Sequence, residues 1–197
     1  MQFIIREVIV LSWINNIKEY IPYNEQEAKD KELILGAISN FDNLLTRENP
    51  VMHITSSGYV VNKNRDKVLM IYHKIYNSWA WTGGHADGDD DLLYVAMKEA
   101  KEETGIKNVT PIINNIFSLD VINVNGHIKR GSYVSSHLHL NVTYLLEADE
   151  NEDLIVNEEE TEGVRWLPID KLSDFCTEEY IIENIYNKLN QKIKSLK

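Results

Sequence analysis

Three glutamates, Glu99, Glu102 and Glu103, fall within one short run of the chain, and their spacing is the first sign of chemistry. On a helix, positions i, i+3 and i+4 are neighbours on one face, so this spacing gathers three carboxylates together. Like charges at that spacing repel by a few tenths of a kcal/mol per exposed pair, which a bound cation would offset. Carboxylate oxygens are hard donors, suited to Mg²⁺ or Mn²⁺ and poorly suited to soft metals. Upstream, Gly83-Gly84 offers a backbone that can turn tightly before the helix and approach a ligand closely. The competing reading of the same residues is a solvated acidic helix face. A calcium loop at Asp87-Gly88-Asp89-Asp90-Asp91 fails on detail, because its sixth position is Leu92 rather than Gly and its twelfth is Lys98 rather than Glu. The chain contains no Gly-Lys-Ser/Thr loop of the kind that cradles phosphates.

The elements that must hold these carboxylates follow from periodicity. A helix is expected over Asp91 to Glu103, with aspartates at its start, Gly105 just past its end, and Leu93, Ala96, Met97 and Ala100 as the stripe that docks it. Ile54 to Val61 and Val68 to His73 read as strands joined by the polar turn Asn62 to Lys67. After Pro111 come Ile112 to Val124, the turn pair Asn125-Gly126, and a long strand from about Ser135 to Leu146. That strand alternates, with Leu138, Leu140, Val142 and Tyr144 on one face and His137, His139, Asn141 and Thr143 on the other. An acidic loop follows, with nine Asp or Glu among the sixteen residues 147–162. Val164 to Leu167 is a brief strand, and a last helix from about Thr177 carries Ile181, Ile185, Leu189 and Ile193. The first fifty residues read as two helices, one marked by Ile9, Trp13, Ile17 and Tyr20, the other by Ile34, Ala37, Ile38, Phe41, Leu44 and Leu45. Their apolar faces would pack on the following domain or form a homodimer contact. The mixture of strands and helices sets the class as α/β or α+β.

Composition narrows the partners. The chain has 197 residues and a formal net charge of -11, a surface that repels a phosphate backbone and disfavours broad nucleic-acid binding. A small phosphorylated ligand held through cations remains compatible with that charge. The longest aliphatic run, Val8 to Leu11, is far short of the roughly 20 residues that span a bilayer, and Arg6, Glu7 and Lys18 interrupt any secretory signal. One cysteine, Cys176, cannot form an internal disulfide and fits a reducing compartment. The expectation is a cytoplasmic protein with no membrane partner.

The stretch Gly84 to Ile106 resembles the Nudix box, G-x5-E-x7-R-E-U-x-E-E-x-G-U, where U is a bulky aliphatic residue. Gly84, Glu99, Glu102, Glu103, Gly105 and Ile106 match it, whereas Asp90 replaces the early Glu, Lys98 the Arg and Ala100 the aliphatic residue. Asp90 with Lys98 keeps both signs but loses reach and the bidentate fork of arginine. Trp81-Thr82 before the glycines, the strands from about Ile54 and the Val164-Arg165-Trp166-Leu167-Pro168 stretch resemble the family too. The resemblance implies an α/β/α sandwich with a mixed sheet over residues 51–197, preceded by a helical extension over residues 1–50.

In activity, the resemblance implies hydrolysis of a nucleoside diphosphate linked to another moiety, dependent on Mg²⁺ or Mn²⁺. Glu99 and Glu103 are then the principal metal ligands, with Glu102 supporting them and the Gly84 carbonyl contributing. An acidic residue from the later loop would add a ligand or general base, and Glu160 is the choice ahead of Glu159. For substrate, Trp81 and Trp79 flank the metal loop and could stack on a base, and His137 and His139 could line a cleft. Lys129 or Arg130 on the hairpin could meet a phosphate. Subgroup marks are absent: Leu119 to Asn123 holds no Pro, and the nearest downstream Tyr is Tyr133. Nucleotide sugars, ADP-ribose and nucleoside triphosphates therefore all stay open. The alternatives are a non-catalytic nucleotide-binding module of this fold and a diphosphate isomerase, which would need a cysteine where this chain has only Cys176.

Overall fold

The structure is a computed structural model that describes residues 13–74, 77–129, 131–157 and 161–196. Its elements run α1 (residues 13–19), α2 (Glu25–Asn40), β1 (Met52–Val61), β2 (Lys67–His73), β3 (Ser78–Ala80), β4 (Thr82–His85) and α3 (Leu92–Thr104). There follow β5 (Val109–Pro111), β6 (Ser118–Val124), β7 (His127–Lys129), β8 (Ser132–Val134), β9 (His137–Ala148) and β10 (Thr161–Pro168). A 3-10 turn over Ile169–Asp174 leads to α4 (Glu179–Ile181), a π-helical turn over Ile182–Tyr186, and α5 (Asn187–Ser195). The main sheet has the order β10-β2-β1-β9-β5, with β3 paired to β2, β4 to β1 and β6 to β9. The class is α/β, a mixed sheet with helices, as expected. Two compact units divide the chain, one of residues up to 56, 84–95 and 114–144, the other of 57–83, 96–113 and 145–197.

In the first unit, α2 begins at Asn24, whose side chain accepts the Glu27 N–H at 2.9 Å. Glu27 is fully buried and accepts the Tyr23 N–H at 2.7 Å, the Ser118 hydroxyl at 2.9 Å and the Tyr20 hydroxyl. Ser118 also bonds buried Asp120 at 2.8 Å, and Asp30 accepts the Val121 N–H at 3.0 Å. A polar network thus fastens α2 to β6, so this extension packs against its own chain. Ile17, Ile34 and Ala37 are buried as the periodicity implied, whereas α2 stops at Asn40 and leaves Phe41 exposed and Leu44 buried in the following loop. The expected stripe position Ile9 lies outside the described residues. Strand β6 pairs antiparallel with β9, Val124 opposite His137 and Ser118 opposite Thr143. Asn125-Gly126 is therefore not a two-residue hairpin: a small ladder of β7 and β8 is inserted between the long strands. The polar face of β9 is not solvated either, since Asn141 and Thr143 are buried and Asn141 accepts the Thr55 hydroxyl at 2.9 Å.

The second unit is organised on β2, which pairs antiparallel with β10 (Ile71 opposite Val164) and β3 (Ile71 opposite Ala80). Val68, Leu69, Met70 and Ile71 are all buried, the continuous run expected of a strand covered on both faces. Ile185, Leu189 and Ile193 are buried on the C-terminal helical segment, while Ile181 is only half-buried. Ile181 ends α4 immediately before the π-helical turn, and that wider turn breaks the 3.6-residue period which the stripe assumed.

Candidate active site

Helix α3 starts where Asp91 accepts the Tyr94 N–H at 3.0 Å and ends where Gly105, at φ +75°, returns its N–H to the Lys101 carbonyl at 2.9 Å. A Cβ on Gly105 would meet Ile155 Cβ at 2.6 Å, so glycine answers both a left-handed backbone and a close approach. The buried residues of α3 are Leu92, Val95, Ala96, Ala100, Glu103 and Thr104. The docking stripe expected at Leu93 and Met97 is therefore rotated, and those two are only half-buried. The rotation carries Glu103 inward: it is 4 % exposed, and its Oε2 accepts the Gly83 backbone N–H at 3.0 Å. Glu99 keeps 18 % of its side chain exposed and Glu102 keeps 55 %. Lys98 Nζ lies 3.9 Å from Glu99 and 3.7 Å from Glu102, moderating repulsion along the same face.

Gly83 and Gly84 do not make the tight turn expected of them. They lie in β4, and the turn falls later, at Asp87 and Gly88, whose φ values are 48° and 94°. Arg47 holds Asp87 there through bonds of 2.8 and 2.6 Å. Extended glycines instead expose the backbone N–H of Gly83 to the glutamate, an approach that needs no side chain. Carboxylate oxygens such as those of Glu99, Glu102 and Glu103 are the donor type that suits a hard divalent cation.

The Trp81 ring meets Tyr186 edge-on at 4.9 Å, and its backbone N–H donates to the Tyr186 hydroxyl at 3.3 Å. Trp79 lies edge-on to Tyr72 at 5.4 Å, with the Arg165 guanidinium 5.2 Å from its ring. Glu160 and Arg130 lie outside the described residues, as do Glu158 and Glu159. His137 and His139 join two histidines that sequence reasoning left without a role, His53 on β1 and His85 at the end of β4. Burial lowers the His53 imidazole, lowers His85 to about 3 and lowers His139 to about 2, with neighbouring imidazoles acting in the same direction. No sequence signal joined these four, because the loops between their strands are long and the pairs share no local motif. Cys176 is buried, which pushes its thiol up to about 12, with Glu178 adding to the shift. That environment is inert rather than activating.

A family model of the NUDIX domain matches residues 52–186. The chain is 24% identical over 143 residues to the RNA pyrophosphohydrolase of Pelagibacter ubique (strain HTCC1062), covering 70% of this chain and 89% of that one. It is 27% identical over 139 residues to a probable DHNTP pyrophosphohydrolase of Lactococcus lactis subsp. cremoris (strain MG1363), covering 71% and 80% respectively. Among solved structures, a NUDIX family hydrolase from Clostridium perfringens superposes with a TM-score of 0.50 at 23% identity, over 74% of this chain and 98% of that one. RenU, a Nudix hydrolase from M. smegmatis, gives 0.52 at 15% identity, over 74% and 88%. These likenesses show the fold. The chain belongs to the Nudix family.

Proposed function

We propose that this chain is a pyrophosphohydrolase that cleaves a diphosphate linkage in a small nucleoside diphosphate derivative, with residues 51–197 as the catalytic domain and residues 1–50 as an extension. The observation that carries the reading is Glu103, buried on α3 with its carboxylate held by the Gly83 N–H, one helical turn from Glu99. With 4 % of its surface exposed, Glu103 is not part of a purely solvated acidic face. Family membership and the pyrophosphohydrolase names of two relatives support the same class of reaction.

Nudix hydrolases generally use a divalent metal, and carboxylate oxygens like those of this helix are the donor type that suits Mg²⁺ or Mn²⁺. Glu99 and Glu103, with Glu102 and the Gly84 carbonyl, would hold Mg²⁺ or Mn²⁺, which when bound neutralises diphosphate charge and lowers the pKa of a coordinated water. The chain's own contribution is positioning. The Gly83 N–H holds the Glu103 carboxylate, and buried Ala96 and Ala100 anchor the helix that carries it. Lys98 reduces the cost of placing Glu99 beside Glu102. Glu160 would supply the further ligand or general base from the acidic loop. Trp81 and Arg130 would contact the base and a phosphate. For His137 and His139 a direct substrate contact competes with metal ligation, because the two Nε2 atoms are turned toward each other.

The net charge of -11 supports a small nucleotide over a polynucleotide as substrate. The test is product analysis of a panel of nucleotide sugars, ADP-ribose and nucleoside triphosphates, with Mg²⁺, with Mn²⁺ and with chelator. Metal-dependent cleavage that disappears in Glu103→Gln is the expected result. No cleavage across the panel, together with no binding of either cation, would overturn the reading.

A further inference from the structure

We propose that His53, His85, His137 and His139 form a nitrogen-donor site for a transition-metal cation of the zinc class, separate in chemistry from the carboxylates of α3. Three strands build it within the first compact unit: His53 from β1, His85 from β4, and His137 and His139 two residues apart on β9. One ring nitrogen from each can be chosen so that all four atoms lie within 4.8 Å of one another. His53 stands at the centre, its ring centroid 4.9 Å from His85, 4.9 Å from His137 and 5.1 Å from His139.

Hydrogen bonds around the rings decide which nitrogens are bare. His53 Nδ1 lies 3.2 Å from the Asn49 carbonyl and His137 Nδ1 lies 2.8 Å from the Ser135 carbonyl. A carbonyl only accepts, so each Nδ1 carries the proton and each Nε2 is left with its lone pair. This is the arrangement of metal-binding histidines, whose outer nitrogen is anchored by a carbonyl. His53 is 5 % exposed, and its Nε2 has no hydrogen-bond partner among the described residues. A buried, unsatisfied acceptor of that kind costs roughly 1–3 kcal/mol unless something fills the role.

The spacing fits a tetrahedral ion. With metal–nitrogen bonds of about 2.0–2.1 Å, two ligands of a tetrahedral zinc stand about 3.3 Å apart. His137 Nε2 and His139 Nε2 are 3.2 Å apart. The remaining nitrogens lie within 4.8 Å of one another. Imidazole nitrogen favours Zn²⁺, Co²⁺, Ni²⁺ or Cu²⁺ over Mg²⁺, whose preferred donors are oxygens.

The experiment uses the full chain, stripped with chelator and titrated with Co²⁺ while visible absorption is recorded. Four-coordinate cobalt absorbs strongly in the visible, and six-coordinate cobalt only weakly. The expected result is strong visible bands saturating at one Co²⁺ per chain, displaced by equimolar Zn²⁺ and retained in excess Mg²⁺ and in Glu103→Gln. His137→Gln combined with His139→Gln should abolish the bands and weaken cobalt binding by at least about 100-fold. Far-UV circular dichroism checks that the double variant is folded, and His85→Gln, at a less buried position, decides if it is not. A weak six-coordinate spectrum, bands that persist in the histidine variants, or bands lost in Glu103→Gln would each overturn the proposal. None of these readings depends on turnover, so failure of the hydrolase assignment would leave this result separate.

Discussion

The Gly83 backbone N–H donates to Glu103 Oε2 at 3.0 Å, tying the end of a glycine strand to the inward face of the helix that follows it. Because the donor is main chain, only replacement of Glu103 itself can remove the bond without rebuilding the strand. Glu103→Gln keeps an oxygen acceptor for Gly83 and removes only the charge. It should therefore retain the fold and lose turnover by at least about 100-fold, the scale seen when one electrostatic group is removed from an active site. Steady-state kinetics beside a thermal melt would check this. Near-normal turnover at saturating Mg²⁺ would remove Glu103 from the chemistry.

Lys98 occupies the box position where the family has arginine, and it lies 3.7–3.9 Å from both Glu102 and Glu99. An ammonium is a point charge, whereas a guanidinium holds two carboxylates with a planar fork. Lys98→Arg should therefore raise turnover by about threefold, as a better charge-assisted contact fixes Glu99. Lys98→Met should lower it and raise the metal concentration needed for half-maximal rate, since Glu99 and Glu102 would then repel without relief. Identical rates and metal dependence in all three proteins would show that Lys98 positions nothing.

The candidate carboxylate site was legible as a motif in the sequence because it is local: three glutamates at helical spacing, a glycine pair ahead and a glycine behind all sit in one 23-residue window. The rotation of α3 was not legible, because Leu93 and Met97 are as apolar as Leu92 and Val95 and only the sheet decides between the two faces. The long strand β9 was read correctly over His137 to Leu146, but its alternation misled, since Asn141 and Thr143 are buried by partners distant in sequence. The insertion of β7 and β8 was hidden by Asn125-Gly126, which has the composition of a tight hairpin without its geometry. Least legible was the histidine cluster, whose members are separated by 32, 52 and 2 residues and meet only through strand pairing.

Gly105 makes a stability prediction that needs no chemistry. Its φ of +75° and the 2.6 Å approach of Ile155 Cβ mean that alanine would be strained in backbone and crowded in side chain at once. Gly105→Ala should cost about 2 kcal/mol or more, with Ile155→Gly in the same chain recovering only part of the steric cost, since the Ile155 backbone N is itself 2.9 Å from the added Cβ. Urea denaturation of the single and double variants would measure the coupling. Unchanged stability in Gly105→Ala would mean that the helix end rearranges freely.

The second unit should weaken in alkali. Burial pushes Cys176 up to about 12, and Tyr59 and Tyr186, both essentially fully buried, are raised well above the ordinary tyrosine value by the same cause, with the Cys176 thiol adding to each. Tyr59 donates its hydroxyl proton to Asn190 Oδ1 at 2.7 Å, and Glu178 is the acidic neighbour of the thiol. In the unfolded chain these groups ionise at ordinary values near 9 and 10. Between those values and the raised ones, the folded protein binds protons that the unfolded chain has lost. The stability they contribute is therefore complete below about pH 9 and is lost as pH rises toward the folded values, at up to about 1.4 kcal/mol per pH unit for each group. Urea melts at about pH 8 and about pH 10.5 should show the fall, and Tyr59→Phe should reduce its slope although it sacrifices the Asn190 bond. Over the same range the thiol should react with a disulfide reagent only on unfolding. A flat stability profile with a thiol that reacts in the folded state would show that this cluster is open to solvent.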